Sequence, residues 1–93
     1  MELSLAIYKA ALLLDLKGDV QSAELLLRSS LAEHKELTPD RLRAQIFLGE
    51  LLVSQGRREG LSELQEAVST PQPSEWDDLM ADDIARARRL LAE

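Results

Sequence analysis

The chain has 93 residues, 17 acidic against 11 basic side chains, a net charge of −6 and no cysteine. That length makes one small domain, the acidity sets it against a phosphate backbone, and the lack of cysteine excludes disulfides and thiolate metal sites. Leucine (20) and alanine (11) dominate, against one Phe, one Tyr and one Trp. Both are strong helix formers, so the composition predicts an all-α chain with an aliphatic core built by close helix packing.

Helix one is expected from about Glu2 to Lys17, with Leu3, Ile7, Ala10, Ala11 and Leu14 at helical spacing as its core stripe. Gly18 can take a left-handed conformation and end it. Asp19 is a candidate N-cap for helix two, whose inner face would carry Val20, Ala23, Leu26, Leu27 and Leu31. That helix fades near Lys35. Thr38-Pro39 opens helix three, with Thr38 as cap and a proline in the first turn, where no hydrogen bond is lost.

Helix three runs from about Pro39 to Gln55, with Leu42, Gln45, Leu48, Gly49 and Leu52 on one side, and Gly56 ends it. Helix four spans about Arg58 to Ser69, with Leu61, Leu64, Ala67 and Val68 inward. Thr70-Pro71-Gln72-Pro73 breaks the chain, and Ser74 with Asp77 reads as a capping box for helix five. Trp76, Met80, Ile84, Ala87 and Leu91 form that helix's stripe. Its first turn is acidic (Glu75, Asp77, Asp78) and its end basic (Arg86, Arg88, Arg89), which complements the helix dipole. Short linkers predict that sequential helices pack antiparallel.

Two stretches repeat one another. Ala10, Ala11, Leu14 and Gly18 recur as Leu48, Gly49, Leu52 and Gly56 at an offset of 38, and Ala23, Leu27 and Ser30 recur as Gly60, Leu64 and Ala67 one residue closer. A fixed period of this size marks stacked helical repeats. The pattern resembles the tetratricopeptide repeat, in which an A helix and a B helix cross at small residues: Ala11 and Ala23 in the first copy, Gly49 and Gly60 in the second. A small side chain at the crossing lets helices approach to about 8–9 Å. The period is longer than that family's usual one because the Lys35–Thr38 loop is long, and Gln45 sits where a large aromatic is typical. The resemblance covers residues 3–71. It implies an all-α fold of two antiparallel helical hairpins plus a C-terminal capping helix: repeat one about 3–37, repeat two about 38–71, and a final helix about 74–92.

Little in the chain points to catalysis. His34, the only histidine, lies near the end of helix two, where a surface or capping role is expected. Asp78 and Asp82 share a helix face, but Asp82 and Arg86 stand four apart and are expected to pair on a solvated surface. Arg57-Arg58 reads as a solvated cluster at a turn. Ser4, Ser29 and Ser30 have no nearby activating base, and the isolated glycines form no phosphate-cradling loop. No enzyme activity, cofactor or metal is expected.

In stacks of this family the A helices line a concave groove. The resemblance maps that face to Leu5, Tyr8, Leu12, Asp15 and Leu16 of helix one and Arg43, Ile46, Glu50 and Val53 of helix three. Members that grip chaperone C-terminal carboxylates carry Lys and Asn where Tyr8 and Leu12 stand, so the resemblance does not extend to that activity. Helix one is apolar on two faces, and a helix of that kind is normally covered on both. Helix five folding back, a second copy of the chain, or a partner segment would cover the second face. The expected function is therefore a protein-interaction module, an adaptor, chaperone or regulatory domain binding an apolar helix or peptide. The alternative is a self-associating structural protein whose helix-one face forms a homodimer. No nucleic acid, membrane or small-molecule substrate is expected as partner. No 18-residue apolar run occurs in the sequence, no secretory signal is expected, and a cytoplasmic setting is the expectation.

Overall fold

The computed structural model describes residues 1–93 and contains five α-helices and no strand. They are α1 (Leu3–Lys17), α2 (Val20–Glu33), α3 (Pro39–Ser54), α4 (Glu59–Ser69) and α5 (Asp77–Ala92), with a 3₁₀ turn at Ser74–Trp76 before α5. None is long and apolar enough to cross a membrane.

The helix ends have local causes. Gly18 and Gly56 sit at φ +60° and +72°, in the left-handed region that side chains with a Cβ rarely enter. The Gly18 amide closes α1 on the Leu14 carbonyl at 3.0 Å. Asp19 caps α2 by accepting from the Ser22 amide at 3.1 Å, and Thr38 caps α3 by accepting from the Arg41 amide at 3.1 Å. The expected capping box at Ser74 does not form: neither the 3₁₀ turn nor α5 has a side-chain cap. Trp76 belongs to the 3₁₀ turn, so α5 starts one residue beyond it.

α1 packs on α2 and α3, α3 on α2, α4 and α5, and α4 on α5. The core falls into two clusters that meet on α3. One joins Leu3 and Ala10 with Ala23, Leu27, Ala44, Leu48, Leu51 and Leu52. The other joins Leu42 and Ile46 with Leu64, Ala67, Met80 and Ala87. The expected inner face of α3 is buried throughout, including Gln45, whose amide donates to Glu63 at 3.3 Å. That bond satisfies a donor that would be costly to bury alone.

The second repeat crosses at its glycines. A Cβ built on Gly49 would lie 2.7 Å from the Leu64 side chain and 3.1 Å from the Gly60 carbonyl oxygen. In the first repeat Ala23 is fully buried, but Ala11 is only half-buried. Ala6 and Ala10 are the alanines of α1 that lose all contact with solvent. The α1 stripe is therefore Leu3, Ala6 and Ala10, flanked by half-buried Ile7, Leu13 and Leu14. α1 is apolar nearly all round, so spacing alone permits more than one stripe, and α2 and α3 select this one. Leu61, expected inward on α4, is exposed.

Candidate functional site

The residues mapped to a single groove are divided by the structure between two surfaces. On α1, Leu5, Tyr8, Leu12 and Leu16 keep 43%, 61%, 37% and 76% of their surface exposed, and Asp15 is exposed beside them. They occupy the side of α1 away from Leu3, Ala6 and Ala10, as the period of the helix dictates. α5 does not fold back over them, since its packing partners are α3 and α4.

The residues of α3 are placed differently. Ile46 is fully buried in the α3–α4–α5 core, so it offers nothing to a partner. Val53 is half-buried against the same cluster. Arg43 and Glu50 are engaged by α5: the Arg43 Nε donates to Asp83 at 3.3 Å, and the Arg86 guanidinium donates to Glu50 at 3.1 Å and to Asp83 at 2.9 Å. Arg86 is thus held by Glu50 and Asp83, not by Asp82. The Glu50 hydrogen bond is the main reason its guanidinium pKa is raised, with Asp83 adding to it. Position along helix three could not reveal this, because the groove side of α3 is decided by a helix some forty residues away.

Two depressions involve these residues. One, of about 290 Å³, lies between α1, α3 and α5, floored by Ile7 and Phe47 and walled by Arg43, Glu50, Asp83 and Arg86. The charged wall is internally neutralised by the ion pairs just described. The other, of about 330 Å³, lies along α1 and α2 and is lined by Lys9, Leu12, Leu13, Leu16, Lys17 and Leu26. It is almost entirely apolar apart from the two lysines at its rim. Leu13, Leu26 and the lysines were not among the residues expected at a site. The signal that could have found them is the surplus of apolar residues on helix one joined to the exposed side of helix two.

A third depression, of about 420 Å³, lies between α2, α3 and α4, with Arg28, Lys35, Arg41, Glu63 and Glu66 around it. Its basic side chains come from α2, the loop after it and α3, and its acidic ones from α4. Close by, Glu24 of α2 accepts from Arg28 at 2.8 Å and from Arg57 of the α3–α4 turn, and both arginines also reach Glu59. Arg57 is thus exposed, as expected from the turn, and paired there with Glu24 and Glu59. His34 is the residue that follows α2, and its Nε2 lies 2.6 Å from the Met1 carbonyl oxygen. Its own carbonyl accepts from Arg41 at 2.8 Å. No group of three or more His, Asp or Glu side chains converges in the geometry a metal would need.

The chemistry on offer is thus apolar contact along α1 and its junction with α2. No protein-family model, curated protein or solved structure matches this chain.

Proposed function

We propose that the chain is a protein-interaction module of tetratricopeptide-like design: two antiparallel helical hairpins, α1–α2 and α3–α4, with α5 as capping helix. In this reading it serves as an adaptor, chaperone or regulatory domain. Three observations support the design. Consecutive helices pack on one another while α1 also meets α3 and α3 meets α5. The second pair crosses at Gly49 and Gly60. The repeat-related residues Ala23, Leu27 and Ser30 are buried, as are Gly60, Leu64 and Ala67.

The observation that carries the function is the open apolar side of α1. Leu5, Tyr8, Leu12 and Leu16 all remain exposed in the folded chain, and contiguous exposed apolar surface is the usual mark of an interaction site. An apolar helix laid along it would use the helix-in-groove mode, with anchors three or four residues apart. The same stripe favours a second reading, a homodimer closed through α1.

Sedimentation measures the mass of the wild-type chain, and a displayed library of amphipathic helical peptides measures its capacity to bind. A monomer that enriches helical peptides, and loses them on Leu12→Asp with its melting temperature kept, supports the module. A dimer that the same substitution dissolves supports self-association. A monomer that enriches nothing rejects both.

A further inference from the structure

Each helix pair in this fold receives a third helix across it. α3 lies against both α1 and α2, and α5 lies against both α3 and α4. The side of the first pair lined by Leu12, Leu13, Leu16 and Leu26 has no such occupant. We propose that this trough seats an amphipathic helix of another protein, one with leucine-like anchors on its inner face and carboxylates along its flank. The proposal rests on the interaction-module reading and names the surface and the chemistry of its ligand.

Charge selects the occupant. The chain carries −6 overall, yet the only charged side chains on the trough are Lys9 and Lys17. Neither is in an ion pair, whereas Arg28, Arg43, Arg57 and Arg86 all are. The two lysines are eight residues apart on one helix, about 12 Å at 1.5 Å per residue. A helix lying nearly along α1 would answer them with carboxylates seven or eight residues apart. Like charges are disfavoured in such a contact and opposite ones steer it.

A second copy of the chain is a poorer occupant. A two-fold contact is self-complementary, so it would bring Lys9 and Lys17 against the same two lysines of the other copy. The chain's own acidic helix is not free for exchange, because Met80 and Ala87 of α5 are buried against α3 and α4.

The probes are two synthetic helical peptides with the same leucine stripe, one flanked by glutamates at seven-residue spacing and the other by lysines. Binding is read by fluorescence anisotropy, and the fold of every variant by circular dichroism. At low salt the glutamate peptide should bind about tenfold tighter, the size expected from two exposed ion pairs, and added salt should shrink the difference. Reversing both lysines (Lys9→Glu with Lys17→Glu) should invert the preference, and Leu12→Asp should weaken both peptides. Equal binding of the two peptides overturns the proposal, as does a preference that survives the charge reversal. A wild-type dimer dissolved by Leu12→Asp overturns it in favour of a second copy. If library peptides bind and are lost on Leu12→Asp but are indifferent to the lysine reversal, the trough assignment fails and the module reading stands. If no helical peptide binds, both fail.

Discussion

Gly49 and Gly60 meet backbone to backbone where α3 passes α4. A Cβ on Gly60 would stand 2.7 Å from the Gly49 carbonyl oxygen, 2.8 Å from the Val53 amide nitrogen and 2.9 Å from the Leu52 Cβ. Two of those three atoms are backbone, which cannot rotate away. Gly60→Ala should therefore destabilise by roughly 1–3 kcal/mol through overpacking, despite the helix propensity that alanine adds. Gly49→Ala meets the Leu64 side chain at 2.7 Å and only one backbone atom, the Gly60 carbonyl oxygen at 3.1 Å, so its loss should be the smaller. Thermal melts of the two variants check the order, and a Gly60→Ala protein as stable as wild type would contradict the crossing.

Leu12 and Ile46 were both expected on a binding face, but one is exposed and the other fully buried. Leu12→Asp should leave stability within about 0.5 kcal/mol of wild type, the usual range for surface changes. Ile46→Asp should unfold the chain by burying an unpaired carboxylate. Circular dichroism melts separate the two. A large loss of stability on Leu12→Asp would mean that something does cover α1.

Glu24 links acid stability to the contact between α2 and the α3–α4 turn. The Arg28 hydrogen bond holds its carboxyl below the ordinary value of 4.5 against the opposing effect of burial, and Arg57 adds to the lowering. A folded-state pKa below the unfolded one gives stability that is complete above about pH 4.5 and is lost as pH falls through the depressed value. Asp19 acts in the same direction, lowered from 3.8 by its hydrogen bonds from Ser22. The melting temperature should decline more steeply below pH 4.5 in the wild type than in Glu24→Gln. Parallel curves would remove Glu24 from the account.

Asp83 is the one carboxylate shared by Arg43 of α3 and Arg86 of α5. The arginines are partly exposed, so the pairs are screened and each contributes about 0.2–1 kcal/mol. Asp83→Asn should cost about 1 kcal/mol and speed amide exchange in α5 more than in α1 or α2. Uniform acceleration along the chain would show that these pairs do not hold α5 in particular.

The helix boundaries were legible because their causes are local: glycines at 18 and 56, the Thr38-Pro39 start, and the prolines at 71 and 73. The inner faces of α2 and α3 were legible from period, for each has one polar side or one buried stripe to choose. The stripe of α1 was legible only in part: Leu3 and Ala10 are buried as expected, but Ala6 was missed and Ala11 is only half-buried. With Leu or Ala at so many positions, rotation of the helix costs little in local terms, and the position of α2 and α3 decides it. The candidate site divides the same way. The surplus Leu5, Tyr8, Leu12 and Leu16 could be read as a second apolar face, but the fate of Arg43, Ile46, Glu50 and Val53 depended on α5. Its partners there, Asp83 and Arg86, are about forty residues distant in sequence, and no spacing rule reaches across that separation.

α3 carries Ala44, Leu48, Leu51 and Leu52 into one core cluster and Leu42 and Ile46 into the other. Neither helix pair owns a complete interior. Cut after Glu36, the segment α1–α2 would lose half the residues that close its cluster, and α3 would expose the face it had turned toward them. The two halves should therefore melt as one unit in a single calorimetric transition, where stacked repeats with self-sufficient cores could fray from an end. Repetition in the sequence here does not confer modularity in folding.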